Sequence, residues 1–337
     1  MCLWAFAHKD GVLRATCGML RPLVSKGYTQ NLDLLQINWL TFCNRINMQK
    51  IFLAGILLLI TNRLIIAQSA DYVLKNDNNG IPLVDLSEVV VTSDKVQPLR
   101  YLEYDAFDYG ERLTYKVKYG MMSAGKVFME ILPNPVEVSG RKCYHIVATM
   151  VTKGAVDAMY PVIDRYETYV DVDGIFPWYF RKELNEGRFK ASEYCLFDQR
   201  NQKAYVGSQS YAVPRFSQDM ISFFYFLRSK NAMDVPMGTT FETEAFIDRK
   251  VSTIKVLYEK DEVIKTPFGK INCMRLKPLL KESGFTQFKG DMYFWITKDA
   301  NHILVAGEGT LPIGSVKFVI EDAQGLKHPI SYYQKKN

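Results

Sequence analysis

Four carboxylates crowd one stretch of the chain: Asp164, Glu167, Asp171 and Asp173, in "DRYETYVDVDG". Paired carboxyl groups can divide acid and base roles when their surroundings push their pKa values apart. Asp171 shares strand parity with Glu167, so a paired acid site on one strand face is one reading. The other is a solvated strand face that ends in a turn. "DVDG" lacks the later ligands of a calcium loop, so no metal is assigned to it.

Other nucleophiles and bases find no companions. His145 falls in a strand-like run, His302 near a turn and His328 near the C-terminus. Without a partner motif they read as structural. Neither GxSxG nor HExxH occurs, and "GSQSYA" lacks the second glycine and reads as a turn or strand edge. No glycine-rich phosphate loop follows a strand and opens a helix. Cys143, Cys195 and Cys273 lie in "KCYHIV", "EYCLF" and "INCMRL", with no CxxC spacing. They read as buried, inert thiols, although an oxidising compartment would allow one disulfide among them. No catalytic residue, metal ligand or cofactor is assigned.

Aromatic residues make up 13% of the chain. Tyr166, Tyr169, Phe176, Trp178, Tyr179 and Phe180 gather in one stretch. Core packing is the first reading, because such rings bury large areas. The functional alternative is an apolar cavity for lipid or acyl chains, or a stacking platform for sugar rings. On that alternative Tyr166, Trp178 and Phe224 are the candidate ligand-binding residues.

The elements that would position these groups are strands. "GERLTYKVKYGMMSAGKVFMEIL" places Leu113, Tyr115, Val117 and Tyr119 on one parity and Arg112, Thr114, Lys116 and Lys118 on the other. A period of two marks a strand with one buried face. The chain is expected to turn at Met121–Gly125 and return with Val127, Met129 and Ile131 buried. Further turns are expected near Asp173-Gly174, at Gln199–Asn201, and at "TPFG" between Pro267 and Gly269. Strands alternating with helices are absent, which excludes a parallel nucleotide-binding sheet. The expected fold class is mainly β: an antiparallel curved sheet or partly open β-barrel.

One segment breaks the pattern. "SQDMISFFYFLRS", residues 217–229, is expected to be a helix that is apolar on every face and therefore buried. Asp219 can accept a first-turn N–H, and Arg228 suits the negative end of the helix dipole.

The chain has 337 residues and a net charge of +6. Met48-Gln49-Lys50, then "IFLAGILLLI" and "TNRLIIAQSA", read as an export signal over 48–67, cut after Ala67. Met48 then reads as the true initiator, with 1–47 an untranslated or disordered extension. Five cations against two carboxylates lie in 1–47, and two more cations lie in the signal. Only +1 therefore remains on 68–337, and no nucleic-acid footprint is expected. Residues 68–105 read as an irregular arm, 106–325 as a single β-rich domain and 326–337 as a tail. Within the arm, "LSEVVVTSDK" reads as an edge strand. It also resembles the segment that opens the plug of TonB-dependent receptors of the Bacteroidota.

The "GE.L.Y.V.YG...AG" pattern is present in Gly110, Glu111, Leu113, Tyr115, Val117, Tyr119, Gly120, Ala124 and Gly125. "D..S..Y.LR" is present in Asp219, Ser222, Tyr225, Leu227 and Arg228, and "TPFG" and "FWITKD" follow in order. In these motifs the chain resembles the bacterial exported family called domain of unknown function 3108, over roughly 107–320. The resemblance implies a β-rich protein of a Gram-negative cell envelope, periplasmic or associated with the outer membrane, and transfers no catalytic residue. The leading reading is a non-catalytic binding or carrier module for an amphipathic envelope component: lipid, lipoprotein or glycan. The alternatives are an envelope hydrolase using the carboxylates near Asp164–Asp173, and a structural partner of an outer-membrane protein assembly. The sequence does not set the oligomeric state.

Overall fold

The computed structural model describes residues 98–230, 235–279, 291–310 and 314–332, with the backbone of 75–76 and 82–83. The expected extension 1–47, the export signal 48–67 and the "LSEVVVTSDK" segment lie outside the described residues.

Two short strands, β1 (Lys75–Asn76) and β2 (Pro82–Leu83), pair with each other. The main sheet has 15 strands. Its first seven are β3 (Arg112–Tyr119), β4 (Met122–Ile131), β5 (Val136–Val138), β6 (Arg141–Thr152), β7 (Ile163–Asp171), β8 (Pro177–Glu186) and β9 (Phe189–Asp198). Then come β10 (Lys203–Val206), β11 (Gln209–Ala212), β12 (Thr240–Ile247) and β13 (Lys250–Thr266). The last are β14 (Gly269–Pro278), β15 (Met292–Thr297), β16 (Leu304–Thr310) and β17 (Ser315–Gln324). Helix α1 (Gly154–Met159) joins β6 to β7, and α2 (Ser222–Arg228) lies between β11 and β12.

All pairings are antiparallel, in the order β11-β10-β9-β8-β7-β6-β4-β3-β17-β16-β15-β14-β13-β12, with β5 added on β6. Consecutive strands are neighbours almost throughout, as short turns require. The exception is β3 beside β17, which brings the two ends of the domain together. The ladder does not close on itself: among the described residues β11 and β12 are not paired. Residues after β11 do reach β12. Gln218 donates its N–H to Glu244 O at 2.8 Å and accepts from Phe246 N–H at 2.9 Å.

The alternation read from the sequence is present in space. Tyr115 is 0% and Val117 2% exposed, whereas Lys116 and Lys118 face water. The turn is tighter than expected. It falls at Gly120-Met121, not Met121–Gly125, because Gly120 takes a positive φ of 55° that a side chain would resist. Gly125 is instead inside β4, where a Cβ would meet Val151 O at 2.1 Å.

The helix also differs from its expectation. It covers seven residues, Ser222–Arg228, rather than 217–229, and it is not purely apolar. Residues 217–221 stay non-helical because Asp219 folds back on them. Its Oδ1 accepts from Ile221 N–H at 2.7 Å and from Ser222 N–H at 2.8 Å. All seven helical residues are buried. Phe224 meets Phe294 edge to face with ring centroids 5.5 Å apart, and Tyr225 meets Phe107 at 5.0 Å.

Arg228 is the polar member of this packing. Its Nη1 and Nη2 donate to Glu111 Oε1 and Oε2 at 2.6 and 2.7 Å, and further N–H groups reach Asn301 O and Ala106 O. Burial alone would lower the guanidinium pKa; the Glu111 carboxylate beside it more than offsets this and holds it raised. The pair ties α2 to the residue immediately before β3. Breaking a buried pair from one side leaves an uncompensated charge, at a cost of about 3–5 kcal/mol. Glu111→Leu should therefore cost about that much in urea unfolding, and Glu111→Leu with Arg228→Met should recover much of it. A double variant no more stable than the single would refute the pairing argument.

Candidate functional site

The carboxylates of β7 separate into different surroundings. Asp171 is a structural anchor. It takes both arms of Arg141, each at 2.8 Å, together with the N–H groups of Asp173 and Gly174 and the Trp178 indole N–H. Glu167 lies on the same strand face but binds His145 Nε2 at 2.8 Å and Arg165 Nε at 2.7 Å. Its burial would raise its pKa, but those two hydrogen bonds outweigh it and hold the carboxyl at about 2. The His145 ring stacks on Tyr169. Asp171 and Glu167 therefore do not form one acid site.

Asp164 is on the opposite, core-facing parity with Tyr166 and Thr168, all of them buried. Its Oδ1 accepts from Asn185 N–H at 2.9 Å, and its side chain is hydrogen-bonded to that of Glu186 at the end of β8. Burial, then the neighbouring carboxyl, pushes Glu186 upward; burial likewise raises Asp164. Asp164 Oδ2 and Glu186 Oε2 have no other hydrogen-bond partner among the described residues, and burial of two neighbouring carboxyls favours a protonated form of the pair. The Tyr166 hydroxyl, also without a partner, feels both carboxyls and Asp248. Sequence reasoning marked Asp164 and Tyr166 but missed Glu186, whose only signal was its even spacing after Lys182 and Leu184.

A cleft of about 330 Å³, including the solvent that opens onto it, lies where β8 and β9 face the β12–β13 turn. Lys182 Nζ reaches Asp248 Oδ1 at 2.8 Å and Glu193 Oε1 at 3.2 Å, and Arg249 Nη2 reaches Glu193 Oε2 at 2.7 Å. Asp248 and Arg249 form the two-residue turn, both with positive φ, where Asn-Gly is the usual choice. Asp219 lines the same cleft. Its Oδ2 accepts from Thr168 Oγ1 at 2.5 Å, and burial pushes its pKa up to about 6 against these hydrogen bonds.

The protonated pair is sealed, with Asp164 0% and Glu186 2% exposed, so no substrate reaches it. In the cleft Lys182 and Arg249 are paired with Glu193 and Asp248, and Asp219 is held by the Thr168 hydroxyl. Cys143, Cys195 and Cys273 are free and buried, and burial raises each thiol, Cys273 to about 12. Among the described residues no group of three or more His, Cys, Asp or Glu is placed to hold a metal ion. Of the candidate ligand-binding residues, Tyr166 and Phe224 share the main core cluster. Trp178 belongs to a separate cluster with Cys143, Tyr169, Phe176 and Tyr179. Trp178 thus lies in a different cluster from Tyr166 and Phe224.

Among the described residues Tyr101, Met237, Val251, Val263 and Tyr332 are exposed singly, and five further large apolar side chains are exposed on neighbouring segments. Because strand directions alternate, the β3–β4 turn, α1, the start of β7 and the β8–β9 turn share one end of the sheet. Hydrogen bonds link these segments: Lys153 N–H to Ala124 O and Gly187 N–H to Pro161 O. Met121, Met122, Met159, Ile163 and Phe189 are exposed there, Met121 at 98%.

The carboxyl pair sets a pH dependence. Below about pH 4 both groups are protonated in folded and unfolded chains alike. As pH rises the unfolded chain releases these protons first, so the pair's contribution to stability falls until the folded pair ionises too. Glu186→Gln should remove part of this loss. Its urea midpoint relative to wild type should be higher at pH 8 than at pH 5; an unchanged difference would show that the pair does not titrate.

The profile of DUF3108, a protein of unknown function, matches residues 114–321. No curated protein matches the chain. Among solved structures, a β-barrel-like DUF1849 protein from Brucella abortus has 12% identity and a TM-score of 0.44, over 65% of this chain and 98% of that one. A candidate lipoprotein from Parabacteroides distasonis has 11% identity and a TM-score of 0.30, over 68% and 100%. A candidate exported protein with a YmcC-like fold from Bacteroides fragilis has 12% identity and a TM-score of 0.26, over 67% and 100%. With more than half of its length matched by the family profile, the chain belongs to the DUF3108 family.

Proposed function

We propose that the protein is a non-catalytic binding module of the bacterial cell envelope, and that its amphipathic partner docks on the outside of the sheet. One observation carries this reading. Aromatic rings pack closely around α2, while Met121, Met122, Met159, Ile163 and Phe189 stand exposed together at one end of the sheet. Helix α2 and the residues around it, Phe107, Tyr115, Phe294 and Phe318 among them, pack ring against ring. The cleft next to α2 mixes the ion-paired Lys182, Glu193, Asp248 and Arg249 with Phe180, Val206, Met220 and Phe246, so an acyl chain entering it would meet charges as well as apolar walls.

The same reading includes a curled sheet. Lys182–Asp248 and Arg249–Glu193 connect β8 and β9 to the far edge at the β12–β13 turn, and Gln218 bridges to β12. These contacts support an arrangement in which the sheet bends around α2 without a continuous ladder closing it. A hydrolase is disfavoured by the sealing of Asp164 and Glu186 and by the separate fates of Glu167 and Asp171.

An apolar fluorescent fatty acid and thermal melting discriminate between rim and interior. Phe224→Ala should destabilise by about 3–5 kcal/mol, as large-to-small core changes do. Met121→Ser with Phe189→Ser should leave the melting temperature nearly unchanged and weaken probe binding. Tight one-to-one uptake that Phe224→Ala abolishes at unchanged stability would overturn the reading in favour of an interior carrier.

A further inference from the structure

The end of the sheet that exposes Met121, Met122, Met159, Ile163 and Phe189 carries a second property. Lys118 is the last but one residue of β3, Lys153 precedes α1, and Arg188 and Lys190 flank Phe189 at the β8–β9 turn. All four are exposed, and none forms an ion pair among the described residues. Several other charges on the sheet are matched, while Lys116, Lys142, Lys203, Lys265 and Lys270 are exposed and form no ion pair among the described residues. Lys126 pairs with Glu321, Arg165 with Glu167, and Lys317 with Glu308. One exposed carboxylate at this end, Asp157, accepts from the Thr152 hydroxyl at 2.7 Å and leaves one negative charge against the four cations. Apolar side chains and unmatched cations are therefore interleaved across neighbouring turns. Adjacent strands lie about 4.8 Å apart, so from β3 to β9 the row extends roughly 24 Å.

We propose that this end of the sheet docks on an anionic lipid surface. The methionines, Ile163 and Phe189 enter the boundary between headgroups and acyl chains, and Lys118, Lys153, Arg188 and Lys190 lie against the lipid phosphates. The proposal rests on the outside-docking reading above and names its partner. Shallow apolar insertion with flanking cations is the pattern of interfacial binding. Each cation near an anionic membrane strengthens binding by about fivefold, and salt screens the effect. A protein partner of matching acidity would need its own apolar complement to these scattered side chains. A fluid bilayer supplies apolar and anionic groups at any spacing, which suits side chains spread over several turns.

The test is vesicle flotation with the full chain, using phosphatidylcholine vesicles with and without phosphatidylglycerol, at low and high salt. The opposite end of the sheet also exposes lysines, at 142, 203, 265 and 270, and supplies the control. Wild type should float with the anionic vesicles at low salt and be released at high salt. Replacing Lys118, Lys153, Arg188 and Lys190 with Gln should reduce anionic binding by about tenfold or more. Lys142→Gln, Lys203→Gln, Lys265→Gln and Lys270→Gln together should leave it unchanged. All variants carry surface changes only, and a melting curve confirms that each is folded. Equal losses in both sets, or none in either, would overturn the lipid assignment. If the anionic preference is absent but Met121→Ser with Phe189→Ser still weakens binding to the fatty-acid probe, the outside-docking reading survives without it. If neither set of variants changes binding to vesicles or probe, both fall.

Discussion

The Glu111–Arg228 pair is the constraint on which the rest of the structure depends. A guanidinium 3% exposed and a carboxylate 1% exposed are tolerable in a protein core only with full bidentate geometry and the remaining N–H groups satisfied. That requirement fixes three places at once. The entry to β3 must bring Glu111 inward. The loop at Asn301 must present its carbonyl. Helix α2 must end where Arg228 can reach both. The aromatic faces of Phe107 and Tyr225 then enclose the cation at 4.9 and 5.2 Å. Hydrophobic packing alone would let α2 slide or rotate on a broadly apolar sheet; a directional buried pair does not.

The motif residues of the sequence take on meaning through this pair. Glu111 and Arg228 belong to two patterns 117 residues apart, and the structure makes them partners. Asp219 and Ser222 of the second pattern bond to each other: Ser222 Oγ accepts from Asp219 N–H at 2.9 Å, and Asp219 Oδ1 accepts from Ser222 N–H. Tyr115 and Tyr225 pack around the same centre. The patterned residues thus describe how the helix is fastened. This explains why they yielded no chemistry when searched for nucleophiles and bases.

Much of the sheet was legible because alternation is a local property. Tyr115, Val117, Lys116 and Lys118 declare their faces through their immediate neighbours alone. What failed to show was of two kinds. The first is long-range partnership: Glu186 for Asp164, and Glu111 for Arg228, whose position in the last helical turn suggested only a dipole role. The second is local irregularity. The register shift between Tyr169 and Val170 breaks the parity of β7 against β8, so Trp178 joins a different cluster from Tyr166 although both sit in one aromatic stretch. Likewise "QDMISFFYFLR" has the composition of a longer helix, but Asp219 turns its first residues into a cap. Met121 and Met122 could not be told from core methionines by composition, since only the position of the turn, set by Gly120, puts them in water.

The pairing of β3 with β17 sets the order in which this molecule can be made. Tyr119 is the register partner of Val316, and Arg112 that of Gln324, so the first strand of the main sheet has its second neighbour only when the last strand has arrived. Closing so long a loop is entropically costly before any contact rewards it, and sheets of this connectivity assemble slowly. Until then one edge of β3 is bare and Tyr115 lacks the Phe318 ring that meets it at right angles. A chain whose β17 has not yet arrived therefore remains open along the middle of its own sheet, and the docking of that strand is the step that completes the ladder.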